Sequence, residues 1–167
     1  SCFIRLGTDL KNNYYEYEIP LHLTEPGLYS NDNETDRRKV WPQDNMFDFP
    51  FSVLTNAKTA RNKAKRAGNT DVGNNIPYIV YDDASGKPQN KITVLGNPTL
   101  EDVECIMIGV RNSGTHDASG EIWVNELRLS EFNEQGGVAA MANAALSISD
   151  IAQVNVAGRL ETAGYGS

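Results

Sequence analysis

The sequence predicts an all-β chain: a jelly-roll-like antiparallel β-sandwich carrying one α-helix, followed by a tail resembling outer-membrane β-barrel strands. Three observations carry that prediction. Short runs of β-branched and aromatic residues, separated by Gly, Pro, Asn and Asp, recur from Phe3 to Leu129, the rhythm of an antiparallel sheet protein. One stretch, Phe51 to Ala67, breaks that rhythm with helical spacing. Beyond Gly136-Gly137 the composition turns to Ala, Ser, Asn and Val, and alternation there matches strands with one face to lipid and one to a lumen. Residues 1–135 are expected to form the sandwich domain and residues 136–167 the tail.

The opening run Ser1-Cys2-Phe3-Ile4-Arg5-Leu6 reads as a strand entered midway, so the chain is expected to be a segment of a longer protein. Next, Tyr15, Tyr17 and Ile19 alternate with Glu16 and Glu18, the two-residue period of a half-buried strand. From Leu21 to Asp48 the chain is rich in Asn, Asp, Pro and Gly and reads as a long loop, with Trp41 expected to plug it onto the core. In the helical stretch Leu54, Ala57, Ala60, Ala64 and Ala67 recur at three- and four-residue intervals, and Gly68 offers a left-handed stop.

Strand signals return at Tyr78-Ile79-Val80-Tyr81 and Lys91-Ile92-Thr93-Val94-Leu95, around a turn at Asp82 to Gly86. Gly96-Asn97-Pro98 closes the second of these. Two further strands are expected at Val103 to Val110 and Glu121 to Leu129, joined by the polar loop Arg111 to Gly120. Trp123, within the last, is expected to be a buried anchor whose truncation to Ala costs about 3–5 kcal/mol. In the tail, Gln153 to Glu161 alternates strictly. Val138, Met141, Ala142, Ala145 and Ile148 also fit a helix, but the β-branched valines at 154 and 156 favour strand.

Composition narrows the function classes. A formal net charge of −7 over 167 residues argues against nucleic acid as a partner, because holding phosphate requires a positive field. No apolar run reaches the roughly 18 residues of a membrane-spanning helix. Cys2 and Cys105 lack metal-ligand spacing and read as two buried thiols. The two histidines, His22 and His116, sit in separate loops without a partnering His or Cys.

No phosphate-cradling loop, nucleophile elbow or Cys/His arrangement occurs. The acidic loops at Asp32, Glu34 and Asp36 and at Asp82 and Asp83 read as turn chemistry rather than calcium ligands. Hence no catalytic residue, cofactor or metal ligand is expected. Two features retain binding potential. Lys58, Arg61, Lys65 and Arg66 line a basic helix side on an acidic chain and are candidate partner-docking residues. Tyr14, Tyr29, Tyr78 and Trp41 could present rings to a sugar.

The run Glu121-Ile122-Trp123-Val124-Asn125-Glu126-Leu127-Arg128-Leu129 resembles the SprA family, called Sov in some members, of outer-membrane proteins in the Bacteroidetes type IX secretion system. Further likeness, in order, lies at Tyr14-Tyr15-Glu16-Tyr17-Glu18, Val40-Trp41-Pro42, Lys58 with Arg61-Asn62, Gly96-Asn97-Pro98, Met107 to Asn112, and Gly164 to Ser167. One departure is Val138 after Gly136-Gly137, where the family typically has an aromatic. The resemblance implies a non-catalytic structural segment of a protein-export translocon linked to gliding motility. It also implies an outer-membrane location, with the domain facing periplasm or exterior, and secretion-system proteins and exported cargo as partners. Because Ile122 to Leu127 also resembles the last strand of carbohydrate-binding jelly rolls, a sugar-binding cell-surface module is the alternative, and an accessory domain of an enzyme is a third reading.

Overall fold

The computed structural model describes residues 1–117 and 119–130, and the backbone of the strands at 140–148 and 152–160. The chain divides into two compact units, Ser1–Ser113 and Gly114–Ser167. The first unit is built on five strands, β1 (Cys2–Asp9), β2 (Asn13–Ile19), β3 (Tyr78–Asp82), β4 (Lys87–Leu95) and β5 (Cys105–Val110), with helices α1 (Glu34–Val40) and α2 (Ser52–Arg66) on the connection between β2 and β3. The strands form one antiparallel sheet in the order β3-β4-β2-β1-β5.

Strand register sorts the side chains onto two faces. Ile4 pairs with Tyr17 and Leu6 with Tyr15, while Tyr15 and Tyr17 pair on their other side with Val94 and Ile92. These apolar residues share one face because successive side chains alternate. Helix α2 covers that face with Val53, Leu54 and Ala57. Beside it, Phe49 stacks on Tyr17 with ring centroids 4.0 Å apart. The helix ends as its sequence predicts: Gly68 is left-handed at φ 86°, and the Ala67, Gly68 and Asn69 amides donate to the carbonyls of Lys63, Lys65 and Ala64. Lys63, Lys65 and Arg66 in its last turn also suit the negative end of the helix dipole.

The expected two-sheet sandwich is corrected for this unit. One sheet is present, and its apolar face is closed by α2 with Leu21, Phe47 and Phe49 where a second sheet was expected. The long loop is also corrected: it contains α1, opened by Asn33, whose side chain accepts from the Thr35 amide. Trp41, at the end of that helix, is 46% exposed and so is not the buried plug expected of it.

In the second unit, the expected strand from Glu121 to Leu129 is not formed. The run has no regular structure, and Glu126 sits at φ 49°, a left-handed conformation that breaks an extended ladder. Trp123 is accordingly 69% exposed and not an anchor. Farther on, β6 (Ala140–Ile148) and β7 (Ala152–Leu160) pair antiparallel from Ala140 opposite Leu160 to Ile148 opposite Ala152, so the backbone there is strand and not helix. The expected boundary at 135/136, Val138 and the motif Gly164 to Ser167 lie outside the described residues.

Candidate functional site

The second face of the sheet holds the densest constellation of charge. Register places Arg5 beside Glu16 and Phe3 beside Glu18 on β1 and β2, and Lys91 of β4 beside Glu18. Arg5 grips Glu16 with two donors, Nε at 2.9 Å and Nη2 at 2.5 Å from Oε2. Arg111, just past β5, reaches both acids: its Nη2 lies 3.2 Å from Glu16 Oε1, and its Nη1 donates to Glu18 Oε2. Glu18 also receives Lys91 Nζ at 2.5 Å and the Ser1 hydroxyl at 2.6 Å.

Aromatic rings complete the layer. The Arg5 guanidinium lies 3.8 Å from the Tyr14 ring centroid and Arg111 4.7 Å from that of Phe3, both within cation–π range. Phe3 in turn lies over Gly109, where an added Cβ would come within 2.5 Å of its ring. The long arginine and lysine stems thus cover the acids, and Glu16 and Glu18 are only 3% and 6% exposed.

Burial alone would raise the Glu18 carboxyl, but hydrogen bonds from Lys91, Ser1 and Arg111 outweigh it and hold the group below the usual carboxylate range. Arg111 is pushed the other way. Its burial favours loss of the proton, yet the contacts with Glu18 and Glu16 hold the guanidinium above its usual value. Such an arrangement fixes ions in place. Each carboxylate is engaged by two or more donors, which suits a rigid layer better than proton transfer.

The four basic residues expected to dock a partner are not on one exposed face. Arg61 is fully buried, donating from Nη1 to the Gly96 carbonyl at 2.6 Å and from Nε and Nη2 to Asn62 Oδ1. Lys58 donates to the Pro98 carbonyl at 2.7 Å, an oxygen it shares with the Tyr15 hydroxyl at 2.9 Å. Desolvation lowers both cations. Together they fasten α2 to the turn after β4, where Gly96 is left-handed at φ 76° and packs so close to Asn12 that a Cβ would meet its carbonyl oxygen at 2.3 Å. Lys65 and Arg66 are exposed.

Other expected positions are scattered. Tyr14 is buried under Arg5 and offers no sugar platform. The His22 amide pairs with Asn45, and its ring lies 4.0 Å from Asp44. His116 Nδ1 lies 3.0 Å from the Thr115 hydroxyl. Cys2 and Cys105 are both free thiols, with Cys105 Sγ 3.1 Å from the Gly7 carbonyl. Asp82 does turn work, accepting from the Ser85 amide, and it also takes the Tyr17 hydroxyl at 2.6 Å while Asn90 donates to that hydroxyl at 3.0 Å. Burial and the Asp82 contact both push the Tyr17 phenol upward. Among the described residues no three His, Cys, Asp or Glu side chains group as a metal site.

The members of the ionic layer are ordinary strand charges, so residue type alone does not mark them as a cluster. A parity signal existed: Arg5, Glu16, Glu18 and Lys91 all fall on the strand positions opposite to the apolar ones. The family model described as motility related/secretion protein matches residues 1–167, the whole chain. No curated protein and no solved structure matches.

Proposed function

This chain belongs to the SprA family of motility-related and secretion proteins, and from that premise we propose that it is a non-catalytic structural segment of an outer-membrane protein-export translocon. In this reading the sheet unit is a folded insertion, facing the periplasm or the exterior, and the tail from residue 136 supplies barrel strands. The observation that carries it is the antiparallel pair Ala140–Ile148 and Ala152–Leu160, each strand nine residues long. That length suits a tilted transmembrane β-strand, which needs about 9–11 residues. Sequence alternation in the same run adds support.

The layer of paired ions supports a structural role, since it spends its charges on rigidity. Docking of other secretion-system proteins or exported cargo falls to Lys65 and Arg66, because Lys58 and Arg61 are committed to the carbonyls of Pro98 and Gly96. Single cysteines placed at successive positions from Gln153 to Leu160 of the full-length protein, in outer-membrane vesicles, test the barrel. A lipid-partitioning label should react at every second position. Uniform aqueous labelling would sink the reading.

A second reading, the carbohydrate module, draws on the exposed ring of Trp41. Binding on a glycan array that disappears in Trp41→Ala would favour it over the translocon segment.

A further inference from the structure

The ionic layer does not cover the whole of its face of the sheet. Arg5 and Arg111 lie over β1 and β2, whereas the flank over β4 and β3 carries exposed Ile79, Tyr81 and Gln89. Register sets Glu18 of β2, Lys91 of β4 and Tyr81 of β3 in one row across that flank, and residues directly opposite on neighbouring strands share a face. The ladder then breaks. Lys91 pairs with Tyr81 but Lys87 with Asp82, so residues 88–90 have no opposite number on β3 and β4 bulges, as strands do where a side chain is re-aimed. Gln89 stands in that bulge, and beside it opens a groove of about 290 Å³ bounded by Glu18, Pro20, Tyr81, Gln89 and Lys91.

The size and chemistry of the groove restrict what it can hold. Its volume lies at the lower end of small-molecule sites and admits a single ring. A cation would find the Glu18 carboxylate already taken by Lys91, Arg111 and the Ser1 hydroxyl. An anion would meet that carboxylate, in a chain of net charge −7. A neutral ligand meets neither obstacle. Lys91 keeps two N–H donors beyond its bond to Glu18, and neither the Gln89 amide nor the Tyr81 hydroxyl has a hydrogen-bond partner among the described residues. The Tyr81 ring, 56% exposed, adds an apolar wall. Donors and acceptors set around one open ring suit a sugar, whose C–H groups pack on the aromatic face while its hydroxyls both donate and accept.

We propose that this groove is a saccharide site, taking one neutral pyranose ring of a glycan against Tyr81 with its hydroxyls on Lys91, Gln89 and Glu18. The site uses neither the tail strands nor Lys65 and Arg66, so it stands or falls apart from the translocon reading. It also differs from the Trp41 ring on which the carbohydrate-module reading draws.

The test titrates the isotope-labelled 167-residue chain with the methyl glycosides of glucose, galactose, mannose and N-acetylglucosamine, followed by amide chemical shifts. At least one should bind with a roughly millimolar Kd, the range open to a single small ring, and should move the amides of Tyr81, Gln89 and Lys91. Tyr81→Ala should weaken that binding by about tenfold, as loss of a stacked ring does, and Tyr81→Phe should restore most of it. Gln89→Ala, at a second exposed residue, should also weaken it, and an unchanged thermal transition in each variant confirms that the sheet persists. Trp41→Ala should leave it unchanged, and methyl glucuronide, which adds a carboxylate, should bind more weakly than the neutral glycosides. The proposal is overturned if no glycoside shifts these amides, if binding is indifferent to both Tyr81→Ala and Gln89→Ala, or if the shifts centre on Trp41. A glucuronide bound as tightly as the neutral sugars overturns it too.

Discussion

The two faces of the five-stranded sheet are closed in different ways. On one, apolar side chains from all the central strands meet α2 and the Phe47–Phe49 segment, so a separate element supplies the cover. On the other, the sheet covers itself: Arg5, Arg111 and Lys91 fold their stems over Glu16 and Glu18, with Phe3 and Tyr14 beneath the guanidinium groups. The first face draws on removal of apolar area from water. The second depends on charge pairs whose desolvation is repaid only while every partner is present. Both faces are buried, but they should fail under different perturbations.

The largest effect belongs to the apolar face. Tyr17 is almost wholly buried, stacks on Phe49, and donates its hydroxyl to Asp82. Tyr17→Ala removes a core ring and strands a buried carboxylate, and it should cost about 3–5 kcal/mol in urea unfolding. Tyr17→Phe separates the two contributions. A loss below about 1 kcal/mol for the Ala variant would show that α2 and the aromatic segment are not the main cover.

The ionic face should yield less per residue. Glu16→Ala leaves Arg5 and Arg111 facing each other without their shared acid, and since Arg111 is 37% exposed, solvent screening keeps the expected cost at about 1.5–3 kcal/mol. Removing Arg5 as well should recover part of it in a double-mutant cycle, because the uncompensated charge goes too. Simple additivity of the two losses would mean that the layer is a set of independent contacts.

Acid distinguishes the faces without mutation. The Glu18 carboxyl is held low in the folded chain, so the folded state binds fewer protons than the unfolded one through the carboxylate range. Its stabilising share is present above the usual carboxylate value and is lost as pH falls through the lowered folded value. Thermal unfolding followed downward from neutral pH should show a falling midpoint, and Glu18→Gln should be less acid-sensitive than the wild type. Parallel curves for the two proteins would remove Glu18 as the source.

Local signals were readable where local physics decides. The α2 helix and its stop at Gly68, the turn at Asp82 to Gly86, and all five strands of the sheet lie where periodicity and turn residues place them. What the sequence did not disclose was what covers what. Alternation marks Glu16 and Glu18 as facing away from the apolar core, but their burial depends on Arg111, far along the chain, arriving beside them by way of the β1–β5 pairing. Arg61 shows the same limit: helical spacing puts it on the basic side, whereas the Gly96 turn claims it for the interior. Helix α1 is hard to read from sequence because its seven residues, with no buried side chain, carry no apolar period, only the cap at Asn33.

The smallest predicted effect lies outside both faces and asks whether burial or residue size sets these costs. Trp123 is among the largest side chains of the chain, and its strand-like setting suggested a core anchor. It is 69% exposed, and its indole nitrogen donates to the carboxylate of the neighbouring Glu121, at 3.3 Å. A large ring that buries little on folding has little transfer energy to lose and leaves no cavity behind. Trp123→Ala should therefore change stability by no more than about 0.5 kcal/mol, as exposed substitutions generally do. The measurement belongs at low protein concentration, so that any self-association adds no concentration-dependent contribution that is not folding. A loss of several kcal/mol in dilute protein would mean that the ring is buried in solution and that Glu121 to Leu129 forms its strand within a single chain. The apolar face would then extend beyond the five strands described, and the contrast between the two faces would have to be redrawn around a larger core.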